Sequence, residues 1–159
     1  MIKSYFRFGH LCKKEAKNME ILVSDDKKYY PECVKIRETV FVHEQNVPLE
    51  LEIDEYEDEC VHVLLLLDNE PAGTVRYRKY DDTTVKIERM AVLKEHRGKH
   101  FGMNLMYFVH LHAKSKGFTW AKLSAQTHAI PFYGKIGYQV SSGEFDDAGI
   151  PHVDMMCHI

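Results

Sequence analysis

The chain has 159 residues, of which 45% are hydrophobic, 28% charged and 11% aromatic, with a formal net charge of −3. This is the composition of one globular domain with apolar residues enough for a core. The weak net charge argues against a nucleic-acid footprint, and the longest apolar run, Val63–Leu67, is far below the roughly 20 residues a membrane helix needs. With no secretory pattern at the start, the expected location is cytoplasmic, without membrane or nucleic-acid partners. Cys12, Cys33, Cys60 and Cys157 form no CxxC pair, so reduced thiols are expected rather than a disulfide framework or a metal site.

The first 18 residues carry a balance of +4 and leave −7 for the rest. They read as an N-terminal extension outside the core, with a single domain over 19–159. A strand is expected at Glu20–Ser24. From Tyr29 onward Val34, Ile36, Val40 and Phe41 recur at helical spacing, with Pro31 suited to a first turn. Residues 44–59 form a polar connection, and seven of the ten residues Glu50–Glu59 are acidic. Such a run is ordinarily a solvated loop; it would also steer a cationic ligand.

Three strand-like runs follow, at Cys60–Leu67, Ala72–Tyr80 and Val85–Leu93, joined by the turns Asp68–Pro71 and Asp81-Asp82. Such close spacing implies an antiparallel meander. Phe101–Lys116 reads as a long helix stopped by Gly117. Trp120–Ala125 reads as a strand and Ala129–Ile136 as a short helix capped by Gly137. A last strand pair, around Tyr138–Ser141 and His152–His158, flanks a turn region at Asp146–Pro151. The expected class is α/β (α+β), a mixed, mostly antiparallel twisted sheet with helices on both faces. His110 and His112 fall on opposite sides of the long helix and make no metal clamp.

The segment Arg97-Gly98-Lys99-His100-Phe101-Gly102 leaves a strand and opens a helix. Unpaired amides and the helix dipole make such a place an anion site, to which Arg97 and Lys99 add charge. It is neither a Walker loop nor a dinucleotide fingerprint. A basic helix start with glycines for tight packing is the other reading of the loop by itself.

The run from Glu88 to Leu105 resembles the acetyl-CoA motif of the GNAT N-acetyltransferase superfamily, a strand followed by R-x-x-G-x-G/A at a helix start. Arg97 and Gly102 match, and His100 stands at the middle glycine. The segment Gln126 to Tyr138 is similar to the family's N-x-x-A-x-x-hydrophobic-Tyr-x-x-x-G-aromatic pattern, with Gln126 for the asparagine. Ile36–Pro48 and Asp147–Met155 look like the ElaA/YjcF-type branch, and the likeness runs from Met19 to the C-terminus.

The resemblance implies the GNAT fold, acetyl-CoA as co-substrate without a metal, and acetyl transfer to a primary amine of a small molecule. It implies that Met90, Ala91 and Val92 hold pantetheine in an opening between two strands. Gly98, His100, Gly102 and Met103 would meet the pyrophosphate with Arg97 and Lys99, while Gln126 and Phe132 would line the cofactor. Tyr133 is the implied partner of the leaving thiolate. Glu88, two residues before Met90 and so expected on its face, is the implied base. His152 and His62 are further base candidates, and Phe41, Glu44 and Gln45 acceptor contacts. Many relatives dimerise, so a homodimer is compatible. The same residues would also suit a non-catalytic acyl-CoA-binding module, or acetylation of protein lysines or N-termini.

Overall fold

The computed structural model describes residues 18–24 and 27–159. Residues 1–17, nearly all of the basic extension, lie outside the described residues. β1 (Met19–Ser24) is followed by α1 (Tyr30–Arg37), which has proline in its first turn and runs on as a π-helical segment, Glu38–Glu44. The expected polar connection holds one short helical turn, α2 (Leu49–Glu52).

β2 (Val61–Leu67), β3 (Glu70–Lys79) and β4 (Thr84–Val92) make the expected antiparallel meander. The turn between β2 and β3 is tighter than expected. Asp68 and Asn69 both take positive φ, 51° and 69°, the two-residue geometry whose twist matches the flanking strands.

α3 (Phe101–Ser115) leads to β5 (Trp120–Gln126), α4 (Ile130–Ile136) and β6 (Gln139–Val140). The expected turn region before the last strand is instead a hairpin. β7 (Phe145–Asp147) pairs with β8 (Ile150–His158) around Ala148 and Gly149, both at positive φ.

The sheet order is β1-β2-β3-β4-β5-β8-β6, with β7 also on β8, and β4–β5 is its parallel pair. Helices cover both faces. On α3, Leu105, Met106, Val109 and Ala113 form a stripe at helical spacing against Val63, Val75, Ile87 and Leu123. On α1 and its π-helical extension, Cys33, Ile36 and Val40 pack on the other face against Leu64 and Ala91.

The acidic run is solvated only in part: three of its carboxylates, Glu52, Asp54 and Glu57, turn inward onto arginines. Arg37, 1% exposed, donates from Nε to Glu52 at 2.5 Å and from Nη2 to Glu57 at 2.6 Å. Arg76, equally buried, donates to Asp54 at 2.6 and 2.9 Å, Glu57 at 2.6 Å and Glu88 at 3.0 Å. A planar guanidinium offers five donors in a fixed fork that can engage two carboxylates at once with bidentate geometry, where a lysine offers three donors from a single atom. Glu50, Glu55, Asp58 and Glu59 remain exposed. The reason for the misreading is topological: α1 and β3 carry the buried arginines, far away in sequence from the carboxylates that neutralise them.

Removing one member leaves buried charge without its partner, so Arg37→Met should cost about 3–5 kcal/mol in urea unfolding. Lys79→Met breaks an exposed pair with Asp82 and should cost less than about 0.5 kcal/mol. Equal effects would contradict the network.

The pH dependence has a sign. Burial pushes Asp54 and Glu57 up, but Arg76 and Arg89 hold Asp54, and Arg37 and Arg76 hold Glu57, net below the usual carboxylate range. Their stabilisation is full above the unfolded values near pH 4 and lost as pH falls through the folded ones. At Glu52 burial outweighs the arginines and the shift is upward, an opposing contribution. Urea midpoints followed below about pH 5 should therefore decline with acid, and less steeply in Asp54→Asn; identical profiles would contradict the assignment.

Candidate active site

β4 and β5 are paired from Thr84↔Trp120 to Ile87↔Leu123 and no further. Beyond that point Glu88–Val92 and Ser124–Gln126 part. β4 also carries a bulge: Thr74 pairs with Ala91 and Arg76 with Glu88, so Val75 faces both Arg89 and Met90. Arg89 takes φ 55°, a left-handed conformation that costs a non-glycine residue roughly 1–2 kcal/mol. Its guanidinium is fixed by the Leu51 carbonyl at 3.1 Å, the Glu52 carboxylate at 3.0 Å and Asp54 at 3.2 Å. The acidic segment thus offsets the strain of the bulge.

The bulge corrects one expectation. The extra residue breaks the two-residue alternation, so Glu88 does not share a face with Met90. Glu88 points to the α1 side, where Arg76 (3.0 Å), Lys86 (3.4 Å) and Arg78 (3.5 Å) surround its carboxylate. Met90 packs on the α3 side, close to Gly102 and Phe132.

The split opens a cavity of about 740 Å³. Met90, Ala91 and Val92 line it along β4, and Arg97, Gly98, His100, Gly102 and Met103 line it below α3. Gln126, Phe132 and Tyr133 close the β5–α4 side, and Glu88 lies on its floor. Lys99 is the exception. Its ammonium turns back to the Glu95 carbonyl, 3.2 Å away, where it meets the unpaired carbonyl end of the short 3₁₀ turn Lys94–His96.

The loop geometry explains its sequence. Gly98 (φ 74°) and His100 (φ 64°) both take left-handed conformations, and His100 caps α3 in the backbone shape a glycine takes without strain. The first-turn amides of Gly102 and Met103 have no partner within the helix. A Cβ on Gly102 would stand 3.3 Å from the Phe132 ring, a tight contact that would push the ring back by a few tenths of an ångström and that a larger side chain could not make. Arg97 is engaged by the protein itself: Nε donates to the Val92 carbonyl at 2.8 Å, and Nη2 pairs with Glu44 at 2.8 Å.

Tyr133 is half-buried and packs edge-on against Phe132 and Tyr138. Burial pushes its phenol up to about 12. Among the described residues its hydroxyl has no hydrogen-bond partner. Behind it His110, pushed down to about 4 by burial, meets the Tyr138 hydroxyl at 2.6 Å. The end of the π-helical segment reaches across the mouth, where the Gln126 amide donates to Gln45 at 2.8 Å.

Of the remaining candidates, Phe41, Gln45 and His152 line the cavity. His62 does not: it is 1% exposed, meets the Glu57 carbonyl at 3.1 Å and packs against Tyr30, as a core histidine. Sequence reasoning passed over Lys86, Ser124 and His128, which also line the site. Only their strand alternation, counted from the end of the β4–β5 pairing, could have found Lys86 and Ser124. Among the described residues no three His, Cys, Asp or Glu side chains group to hold a metal ion, and no helix is long and apolar enough to cross a membrane.

Comparison with known proteins agrees with this geometry. The family described as "Acetyltransferase (GNAT) domain" matches residues 17–159. The "Uncharacterized N-acetyltransferase YjcF" of Bacillus subtilis (strain 168) is 42% identical over 139 residues, 87% of this chain and 99% of that one. The crystal structure of Escherichia coli ElaA superposes with a TM-score of 0.76 at 25% identity, covering 88% of this chain and 99% of that one. An aminoglycoside 6′-N-acetyltransferase complexed with coenzyme A shares the fold, with a TM-score of 0.68 at 16% identity over 87% of this chain and 96% of that one. A mixed sheet split after Ile87, with helices on both faces and a family match over nearly its whole length, makes this chain a member of the GNAT acetyltransferase family.

Proposed function

We propose that residues 19–159 form an N-acetyltransferase domain that moves the acetyl group of acetyl-CoA onto a primary amine by direct attack on the thioester. The observation that carries this reading is the edge of Glu88–Val92 that β5 no longer pairs, opening onto the cavity that Tyr133 lines. Met90, Ala91 and Val92 would hold the pantetheine arm as an added strand. The amides of Gly98, His100, Gly102 and Met103 would receive the diphosphate, with Gln126 and Phe132 along the cofactor's flank. Bound there, acetyl-CoA supplies an activated acyl carbon and a thiolate leaving group. A β4 amide facing the carbonyl oxygen would stabilise its developing charge, worth about 3–4 kcal/mol in comparable oxyanion holes. The cytoplasm, which holds acetyl-CoA, is the compartment this reading assigns to the reaction.

In the reaction the ammonium first loses one proton, the free amine nitrogen bonds to the carbonyl carbon and gives up a second, the carbon–sulfur bond breaks and sulfur gains one proton, so that one proton is released to solvent. Tyr133 serves the sulfur side. With its phenol at about 12 and a thiol near 8.5, full proton transfer would be uphill by about 5 kcal/mol. Tyr133 therefore donates a hydrogen bond to the departing sulfur, and solvent supplies the proton. On the nitrogen side Glu88 receives the proton through water along the cavity floor. An ordinary ammonium is deprotonated only about once in 2,500 at pH 7, so this step weighs on the acid side of the rate profile.

Titration calorimetry with acetyl-CoA should show binding that Gly102→Trp abolishes, because the indole would occupy the space beside Phe132. Unchanged binding would place the cofactor elsewhere. Thiol release across a panel of amines should fall roughly 100-fold in Tyr133→Phe, while acetyl-CoA affinity changes by less than about threefold. The wild-type profile should also show no decline attributable to phenol ionisation up to about pH 10. Release that Tyr133→Phe leaves intact would remove the tyrosine from the mechanism.

A further inference from the structure

Lys86 stands in register with Arg78 on β3 and with Lys122 on β5. Register partners share a sheet face, so three cations lie in one row across three adjacent strands. Their sequence neighbours Val85, Ile87, Ala121 and Leu123 are buried on the opposite face, which fixes the row on the side that carries Glu88. Like charges placed directly beside one another in a sheet are destabilising.

The local carboxylates do not use up this charge. Glu88 is shared among Arg76, Arg78 and Lys86, and Asp154 pairs with Lys122 at 3.0 Å while accepting from Ser124 at 2.7 Å. Within the acidic run, Glu52, Asp54 and Glu57 are bound by Arg37, Arg76 and Arg89, and the exposed Glu50, Glu55, Asp58 and Glu59 are not on the cavity lining. On this face Arg78, Lys86 and Lys122 thus face two carboxylates, one of which Arg76 also draws on. Lys86 lines the cavity beside Glu88 and Ser124, on the far side of the split from the Gly98–Met103 loop.

We propose that the acceptor is an amine that also carries an oxyanion, such as an amino acid, and that Lys86, on the cavity lining, receives the oxyanion while the amine faces the split, with Lys122 beside it in the row adding positive charge from outside that lining. This deepens the acetyltransferase reading and rests on it. It reverses the attraction that the acidic run suggests, since a polyamine would meet a row of three cations that share two carboxylates.

The experiment compares matched pairs in the thiol-release assay with acetyl-CoA: phenylalanine against phenethylamine, lysine against cadaverine, and phosphoethanolamine against ethanolamine. The wild type should favour the anionic member of the carboxylate pairs by about tenfold or more in kcat/KM, chiefly through KM. The ratio should fall toward one in Lys86→Met and Lys122→Met and be kept in Lys86→Arg. Preference confined to phosphoethanolamine would show that the row takes phosphate rather than carboxylate, and would overturn the amino-acid assignment. A wild-type ratio near one, or a ratio that both methionine variants leave intact, would overturn the proposal while leaving acetyl transfer standing. If no amine releases thiol, the acetyltransferase reading fails separately. Calorimetric binding of N-acetylphenylalanine to the CoA-loaded protein then decides the anion site: binding weakened about tenfold by Lys86→Met supports it, and no binding overturns it.

Discussion

The working part of this molecule depends on one interruption of backbone pairing. A strand that pairs along its whole length presents no free main-chain groups and leaves no crevice. β4 pairs with β5 only as far as Ile87, and just beyond that point Arg89 adds an extra residue and turns left-handed. A bulge bends its strand and increases the local twist. Every other feature of the site is arranged around the gap: the glycine-bearing loop at one end, Tyr133 along one wall, and the π-helical end of the first helix across the mouth.

Electrostatics holds that interruption in place. The strained Arg89 is bound to the carbonyl of Leu51 and the carboxylates of Glu52 and Asp54, and those carboxylates also bind Arg37 and Arg76 inside the fold. Burying so many charges is costly unless each finds several partners, which the forked guanidinium groups provide. The acidic segment therefore acts as a clasp between α1, β3 and the bulge. The carboxylates of Glu52, Asp54 and Glu57 are thereby neutralised within the protein, while Arg78, Lys86 and Lys122 stand in one row across β3, β4 and β5.

Much of this was legible in the sequence wherever local chemistry decides structure. The meander, the long helix and the loop at Gly98–Gly102 follow from hydrophobic period, turn residues and glycine placement. The face of Glu88 was not legible, because it hangs on a left-handed arginine, a residue type with no preference for that conformation. The fate of the acidic run was hidden for a different reason. Its partners come from strands and helices that only tertiary folding brings near, so composition alone read it as solvated. The π-helical segment likewise has the same apolar spacing as an ordinary helix over so short a span. Lys99 was placed on the cofactor by charge and position, whereas its ammonium caps a nearer carbonyl.

The most direct test is to follow backbone amide resonances of the protein as coenzyme A is added. The account predicts the largest changes at Met90–Val92, beyond the end of the β4–β5 pairing, and at Gly98–Met103, with β1 and β2 nearly unmoved. Large changes elsewhere, with those two segments silent, would contradict a cofactor seated in the split between β4 and β5.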